Sequence, residues 1–353
     1  MPRPVKRYAF IHAKLRTRLS KMLSSDLLEQ MIRAHSLQEA VQLLRGGAFD
    51  IIESVYSRTG DLKMAELELL KREIRLYTEV ESYLDDELLR FLRALTARYE
   101  IENLKNLLRL WFDRNVRGRS IQEAAGYLLR EKIHFDLNIE AVLEARDIET
   151  VLEALASTPY AQVIAPHAAS AGETLFPLEV ALDHFYYRML VEETENLEPR
   201  DRRIARRLIG VEIDLQNIGW LVRFKDFYKL PLDEALPLMI PFGHNLDQQT
   251  LGEAYGGQSI TAVVAGLIKK RYAALAPLLS GAGGEQTSRL VLIERVLSEI
   301  MMLEVRHILT GYPFAIGIVL AYFILKKNEI SRLMTILNAK YYRLDEERIK
   351  GLI

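Results

Sequence analysis

The stretch YEIENLKNLLR at residues 99–109 recurs, polar residues included, as IDLQNIGWLVR at 213–223 and in a looser third copy as NEISRLMTILN at 328–338. Aligned on their acids, Glu100, Asp214 and Glu329, the copies stand 114 and 115 residues apart, close to a third of the 353-residue chain. The first two share acid, asparagine and arginine at identical offsets: Glu100, Asn103 and Arg109 against Asp214, Asn217 and Arg223. Amphipathic helices match one another by chance at apolar positions, but chance explains a repeated polar set poorly. Acid and asparagine three residues apart share one face of a helix, whereas the arginine, nine positions on, points elsewhere.

A second marker keeps almost the same period. Ser36-Leu37, Asp147-Ile148 and Ser259-Ile260 each place an N-cap residue before a short apolar helix. Each helix continues to a leucine (Leu44, Leu155, Leu267) and then to an aromatic five residues on (Phe49, Tyr160, Tyr272). Ser36 with Glu39 also spells a capping box. A period near 115 is domain-sized, unlike the ~34 to 47 residues of common helical arrays. The expected organisation is therefore an N-terminal helix plus a first helical repeat over 1–146, a second repeat over 147–258 and a third over 259–353.

The rest of the chain agrees on fold class. Ile293, Val296, Leu297, Ile300, Met301 and Val305 fall at three- and four-residue steps, while period-two alternation is absent. Glycine (19) and proline (11) are sparse, and the breaks at Arg45-Gly46-Gly47, around Pro166 to Glu173, at Pro231 to Gly257 and at Gly281 to Gln286 are too short for flexible linkers. The fold class is all-α. The basic start, Arg3 to Lys21, reads as an amphipathic first helix and not as a targeting leader, because Tyr8, Ile11, Leu15, Leu19 and Met22 keep helical spacing. Pro313 to Leu325 is the most apolar run, yet it falls short of the ~20 residues that span a bilayer, so it is expected to be a buried core helix.

Composition narrows function chiefly by exclusion. Lys plus Arg (47) nearly balances Asp plus Glu (48), so no overall field recommends nucleic acid as a partner. With no cysteine, thiol nucleophiles and iron–sulfur clusters are out. None of the seven histidines forms a zinc pair such as H-E-x-x-H. Asp85-Asp86-Glu87 resembles the magnesium-binding acids of helical prenyl-transfer enzymes, but consecutive residues fan around a helix instead of lining one face. His134 with Asp136, and Asp183 with His184, are ordinary neighbours on solvated faces. The glycine loops lack the following Gly-Lys-Ser/Thr of a phosphate cradle. No catalytic residue, cofactor or metal site is expected.

With these motifs assembled, the chain resembles the central-stalk C subunit family of archaeal and bacterial A/V-type rotary ATPases, equivalent to the d subunit of eukaryotic V-ATPases. The resemblance runs through YEIENLKNLLRLWF (99–112), FPLEVALDHFYYRML (176–190), VEIDLQNIGWLVRFKDFYKL (211–230) and YPFAIGIVLAYFILKKNEISRLMTILNAKYY (312–342). The last carries the family's Pro313-Phe314-x-Ile316-Gly317, its Ala321-Tyr322 pair and its Lys326-x-x-Glu329-Ile330. Two departures occur: Ile318 stands at a usual proline, and Arg332-Leu333-Met334 replaces the usual Asn-Leu-Arg of the third copy.

The resemblance implies a three-domain helical funnel with pseudo-threefold symmetry and no active site. Its opening would receive the rotating central shaft, made of the D and F subunits, and its opposite surface would sit on the membrane proteolipid ring. It would be a peripheral protein on the cytoplasmic face, with no transmembrane span of its own, coupling the shaft to proton or sodium transport. For Glu100, Asn103, Arg109, Asp214, Asn217, Arg223 and Glu329 two roles compete. They either line the socket, together with Lys225 and Lys340, or bridge helices within each domain. Recurrence in every domain favours bridging, because a shaft lacks the threefold symmetry to read three equal sites. The alternative reading of the whole chain is a helical adaptor for other soluble partners.

Overall fold

The computed structural model describes residues 3–256, 260–281 and 286–352. Among them the chain is all helical, with no strand. The order is α1 (Arg3–Leu19), α2 (Ser25–Arg33), α3 (Leu37–Gln42), α4 (Asp50–Thr59), α5 (Leu62–Glu81) and α6 (Asp86–Asn115). Then follow α7 (Gln122–Ala125), α8 (Ile139–Glu144), α9 (Ile148–Ala154), α10 (Pro159–Ile164), α11 (Phe176–Glu195) and α12 (Pro199–Arg223). The chain continues through α13 (Leu232–Ala235), α14 (Gln248–Gly256), α15 (Ile260–Arg271), α16 (Gln286–Leu309), α17 (Gly317–Tyr341) and α18 (Glu346–Leu352). Two compact units result, one of residues 44–196 and one in which residues 1–43 join residues 197–353. The expected boundary at 258 and 259, the N-cap Ser259 and most of the glycine loop at 281–286 lie outside the described residues.

In the unit of residues 44–196 the long α6 is the spine. It starts where Asp85 accepts a hydrogen bond from Leu88 N at 3.1 Å, so the first acid of the Asp85-Asp86-Glu87 cluster is an N-cap. Among the described residues no group of acids and histidines is arranged to hold a metal. Sixteen of the 30 residues of α6 are buried, which exceeds any single amphipathic stripe; α5, α8 and α11 all pack against it. Phe91, Leu104, Leu107 and Leu108 lie fully inside, each such side chain contributing ~1.5 to 3 kcal/mol of burial.

In the other unit α12, α16 and α17 pack together, and α1 lies along α17. Asp201, buried on α12, ties these pieces at one point. Its carboxylate accepts the Tyr8 hydroxyl of α1 at 2.6 Å and the backbone N–H of Ile316 at 2.9 Å. The run from Pro313 is buried as expected, from Ala315 through Phe323, but its helix begins only at Gly317. Pro313 restricts the residue before it, and the Ile316 N–H is taken by Asp201 in place of an intrahelical partner. Among the described residues no helix is long and apolar enough to cross a membrane.

Ser36 and Asp147 act as the N-caps their sequence suggests, accepting from Glu39 N at 3.1 Å and Thr150 N at 2.8 Å. Glu39 reaches back as a box residue does, but it accepts the N–H of His35, one residue before the cap, at 2.8 Å. The aromatics that follow, Phe49, Tyr160 and Tyr272, are all buried.

Candidate functional site: a repeated acid and asparagine cradle

On α6, Glu100 and Asn103 project from one face toward the segment that returns across the helix at 129–135. The Asn103 amide exchanges hydrogen bonds with the backbone of Leu129, donating to its carbonyl at 2.8 Å and accepting from its N–H at 2.9 Å. One oxygen of Glu100 accepts the N–H groups of His134 (2.7 Å) and Phe135 (2.9 Å), and the other accepts the Tyr160 hydroxyl at 2.7 Å. Burial and the neighbouring Glu100 carboxylate push the Tyr160 phenol well above its usual range, so it stays a donor. Leu129 is thereby held against Leu67 and Ile74 of α5, with Ile133 packed beside them.

On α12 the same device appears with different letters. Asn217 donates to the Ile240 carbonyl at 2.8 Å and accepts from its N–H at 2.9 Å. Asp214 accepts the backbone N–H groups of Asn245 (2.7 Å) and Leu246 (3.2 Å) and the Asn245 side-chain amide at 3.0 Å. The backbone partners Leu129 and Ile240, His134 and Asn245, Phe135 and Leu246 are each 111 residues apart, whereas the helix residues are 114 apart. The connection between helix and crossing segment is thus three residues shorter in the second copy. Aspartate is also shorter than glutamate, and the backbone comes closer to compensate. A Cβ on Gly243 would sit 2.3 Å from Asp214 Oδ1, and one on Gly210 would sit 2.9 Å from His244 Cβ, so both positions require glycine. Burial drives the Asp214 carboxyl up to about 6, outweighing the N–H donors that pull it down. The buried phenol of this copy, Tyr272, donates at 2.9 Å to Glu304 and not to Asp214, and Glu304 is gripped by Arg207 through two nitrogens at 2.7 and 3.0 Å.

The third copy is half built. Glu329 accepts the backbone N–H of Leu23 at 2.5 Å, and Leu23 lies 111 residues before His134, so the acid keeps its role. Its other oxygen accepts from Lys326 Nζ at 3.0 Å. The asparagine place is taken by Arg332, which is exposed, and the residue in register with Leu129 and Ile240 is Arg18, which belongs to α1. No amide exchange forms there.

The cations are placed differently from one another. Arg109 is exposed, donating to Glu179 at 2.7 Å and Asn106 at 3.0 Å, and Arg223 reaches Glu294 at 3.4 Å. The Lys225 ammonium donates to the Tyr255 carbonyl at 2.7 Å. Lys340 donates to the carbonyls of Ile32 and Ala34 at the end of α2, at 2.5 and 2.6 Å. Tyr160, Gly243 and Lys105, whose ammonium pairs with Asp183, carry no signal that ties them to the motif in the sequence, although the aromatic at 160 is marked by the repeat.

Chemically the arrangement binds backbone. Carboxylate oxygens meet N–H donors, and an amide meets both halves of a peptide group. Such groups fix where a crossing segment lies on its helix. Comparison with known proteins agrees in extent. A family model described as ATP synthase (C/AC39) subunit matches residues 11–352. The chain belongs to the ATP synthase (C/AC39) subunit family. Relatives in that family include the C subunit of the A-type ATP synthase of Methanothermobacter thermautotrophicus, 24% identical over 337 residues, covering 94% of this chain and 84% of that one. The corresponding protein of Methanocaldococcus jannaschii is 24% identical over 350 residues, 98% of this chain and 86% of the relative. That of Methanosarcina acetivorans is 25% identical over 349 residues, 97% and 91% of the two chains. The C/AC39 match covers all three motif helices and both crossing segments.

Proposed function

We propose that this chain is the non-catalytic central-stalk subunit of an A/V-type rotary ATPase, joining the rotating shaft to the membrane proteolipid ring. The observation that carries the reading is the family match across residues 11–352, with relatives named as the C subunit of A-type ATP synthase aligned over 84% and 86% of their own length. Its partners are then the D and F subunits of the shaft and the ring, and it lies peripherally on the cytoplasmic face without a span of its own. Three helical domains, divided near 146 and 258, surround the socket for the shaft.

The physics of such a part favours what the motif helices do. Torque passes through a coupler without loss only if its segments cannot slide, and a close-packed helical interior transmits strain well. A crossing segment pinned by a peptide-like exchange and a buried carboxylate is fixed in register as well as in contact. Coupling chemistry is not required of it; the ATP-splitting head and the ion-binding ring supply that.

Depletion tests the proposal. Complexes reconstituted without this chain should keep ATP hydrolysis in the detached head and lose ion transport, and adding the chain back should restore transport. Ion pumping that continues undiminished in complexes shown to lack it would defeat the proposal.

A further inference from the structure

A groove runs along α16 and α17, the helix pair of the third copy that corresponds in chain order to the pair crossed by residues 129–133 in the first. In the first copy the crossing segment lies over α5 and α6, with Leu129 on Leu67 and Ile74 and its backbone on Asn103. In the third, α16 precedes α17 as α5 precedes α6, and Glu329 still receives its backbone N–H from Leu23. The residues in register with 129–133 are Arg18 to Met22; the first two are drawn into helix α1, and only Met22 and Leu23 reach the groove, where they form its edge together with Gly351 and Leu352 of α18. The groove has a volume of about 460 Å³, against about 240 Å³ for the cavity beside the first cradle. Its floor is Ser298 and Asn328, joined by a hydrogen bond at 3.1 Å, and its apolar walls include Leu28, Met302 and Leu325.

The change at position 332 says what kind of group fits. Asparagine offers a donor and an acceptor and so matches a peptide group; arginine offers only donors, in a fork that matches a carboxylate. Arg332 is accompanied along the groove by Arg295 and Arg306. Of the carboxylates that line it, Glu294 is paired with Arg223 and Glu329 with Lys326, which leaves Glu299 against three guanidinium groups without an ion pair among the described residues. The groove is therefore a cationic cleft with apolar walls.

We propose that this groove is a third cradle, filled by an extended segment of a partner protein that sets a carboxylate on Arg332 and an apolar side chain between Met302 and Leu325. The partner's strand completes from outside what the chain completes for itself at α6. The inference rests on the repeat geometry and stands apart from the coupling role, since it concerns which chemistry the groove accepts and not what the complex does.

The test uses the full chain, whose lack of cysteine allows one reporter to be placed cleanly. Ser331→Cys, at the exposed rim of the groove, is labelled with an environment-sensitive dye. It is titrated with two capped peptides patterned on the first crossing segment, Leu-Asp-Glu-Asp-Ile-His-Phe and its neutral counterpart Leu-Asn-Gln-Asn-Ile-His-Phe. Saturable binding of the acidic peptide is expected, at least tenfold tighter than the neutral one. Arg332→Glu should weaken it at least tenfold, and Arg332→Lys, which keeps the charge and loses the fork, should weaken it by less than Arg332→Glu does; the side chain is exposed, so a matching melting curve checks the fold. Equal binding of both peptides, no saturation by the acidic one up to millimolar concentration, or indifference to Arg332→Glu would overturn the proposal.

Discussion

Asn103 and Leu129 exchange both of their amide hydrogen bonds, at 2.8 and 2.9 Å, across 26 residues of chain. A side chain on a helix thus does for one residue of a crossing segment what a neighbouring strand does in a sheet. Asn217 repeats this with Ile240 at 2.8 and 2.9 Å.

Removing either amide leaves a buried N–H and a buried carbonyl without partners. Each unsatisfied group costs about 1 to 3 kcal/mol, so Asn103→Ala and Asn217→Ala are each expected to destabilise by roughly 2 to 5 kcal/mol. Urea unfolding monitored by circular dichroism measures it. Aspartate at either position should do little better, because it accepts but cannot donate to the carbonyl. A loss under 0.5 kcal/mol would show that the crossing segment does not depend on the exchange.

Tyr160 donates its hydroxyl to Glu100 at 2.7 Å in a buried setting. Tyr160→Phe keeps the ring and removes only the bond, so a destabilisation of about 1.5 to 3 kcal/mol is expected for a hydrogen bond to a charged group. Glu100→Gln in the Tyr160→Phe background should cost less than in the wild type. Additive losses in that double-mutant cycle would argue against direct coupling.

Asp214 sets a pH dependence with a definite sign. Its folded pKa, pushed up by burial to about 6, lies above the ~3.9 of an unfolded aspartate. The folded state therefore holds the extra proton between those values. The stability this group contributes is complete below about pH 4, declines as pH rises toward 6 and is flat above. Asp214→Asn cannot titrate, so wild type should lose stability relative to that variant between pH 4 and 6. Denaturant midpoints of the two proteins at several pH values decide it; a constant difference across that window would remove Asp214 as the cause.

Arg109 and Arg223 are held at the surface by ion pairs to Glu179 and Glu294, Arg109 donating also to Asn106. Surface pairs of this kind are worth ~0 to 1 kcal/mol, so alanine at either position should leave unfolding midpoints almost unchanged. Any larger loss in assembly with a shaft or ring would then report a partner contact and not a folding defect. Lys340→Met is the contrasting case. It strips the Ile32 and Ala34 carbonyls of their donor and should lower stability by itself.

Helical class, the repeated acid and asparagine, and the caps at Ser36 and Asp147 were legible before folding because each depends on residues within a few positions of one another. Spacing along the chain puts Glu100 and Asn103 on one helix face whatever lies opposite. What lies opposite is a different kind of information. Glu329 meets Leu23 across 306 residues, and Asp201 meets Tyr8 across 193. Nothing in the local pattern says that Tyr160 closes on Glu100 while Tyr272 turns to Glu304. The start of α17 shows the same limit: composition placed Pro313 to Leu325 in the core, but a carboxylate more than a hundred residues earlier holds the Ile316 N–H just before the helix begins. Backbone donors look alike in a sequence, and only the folded chain selects which of them each buried acid must satisfy, because burying one unpaired costs more than any local preference can return.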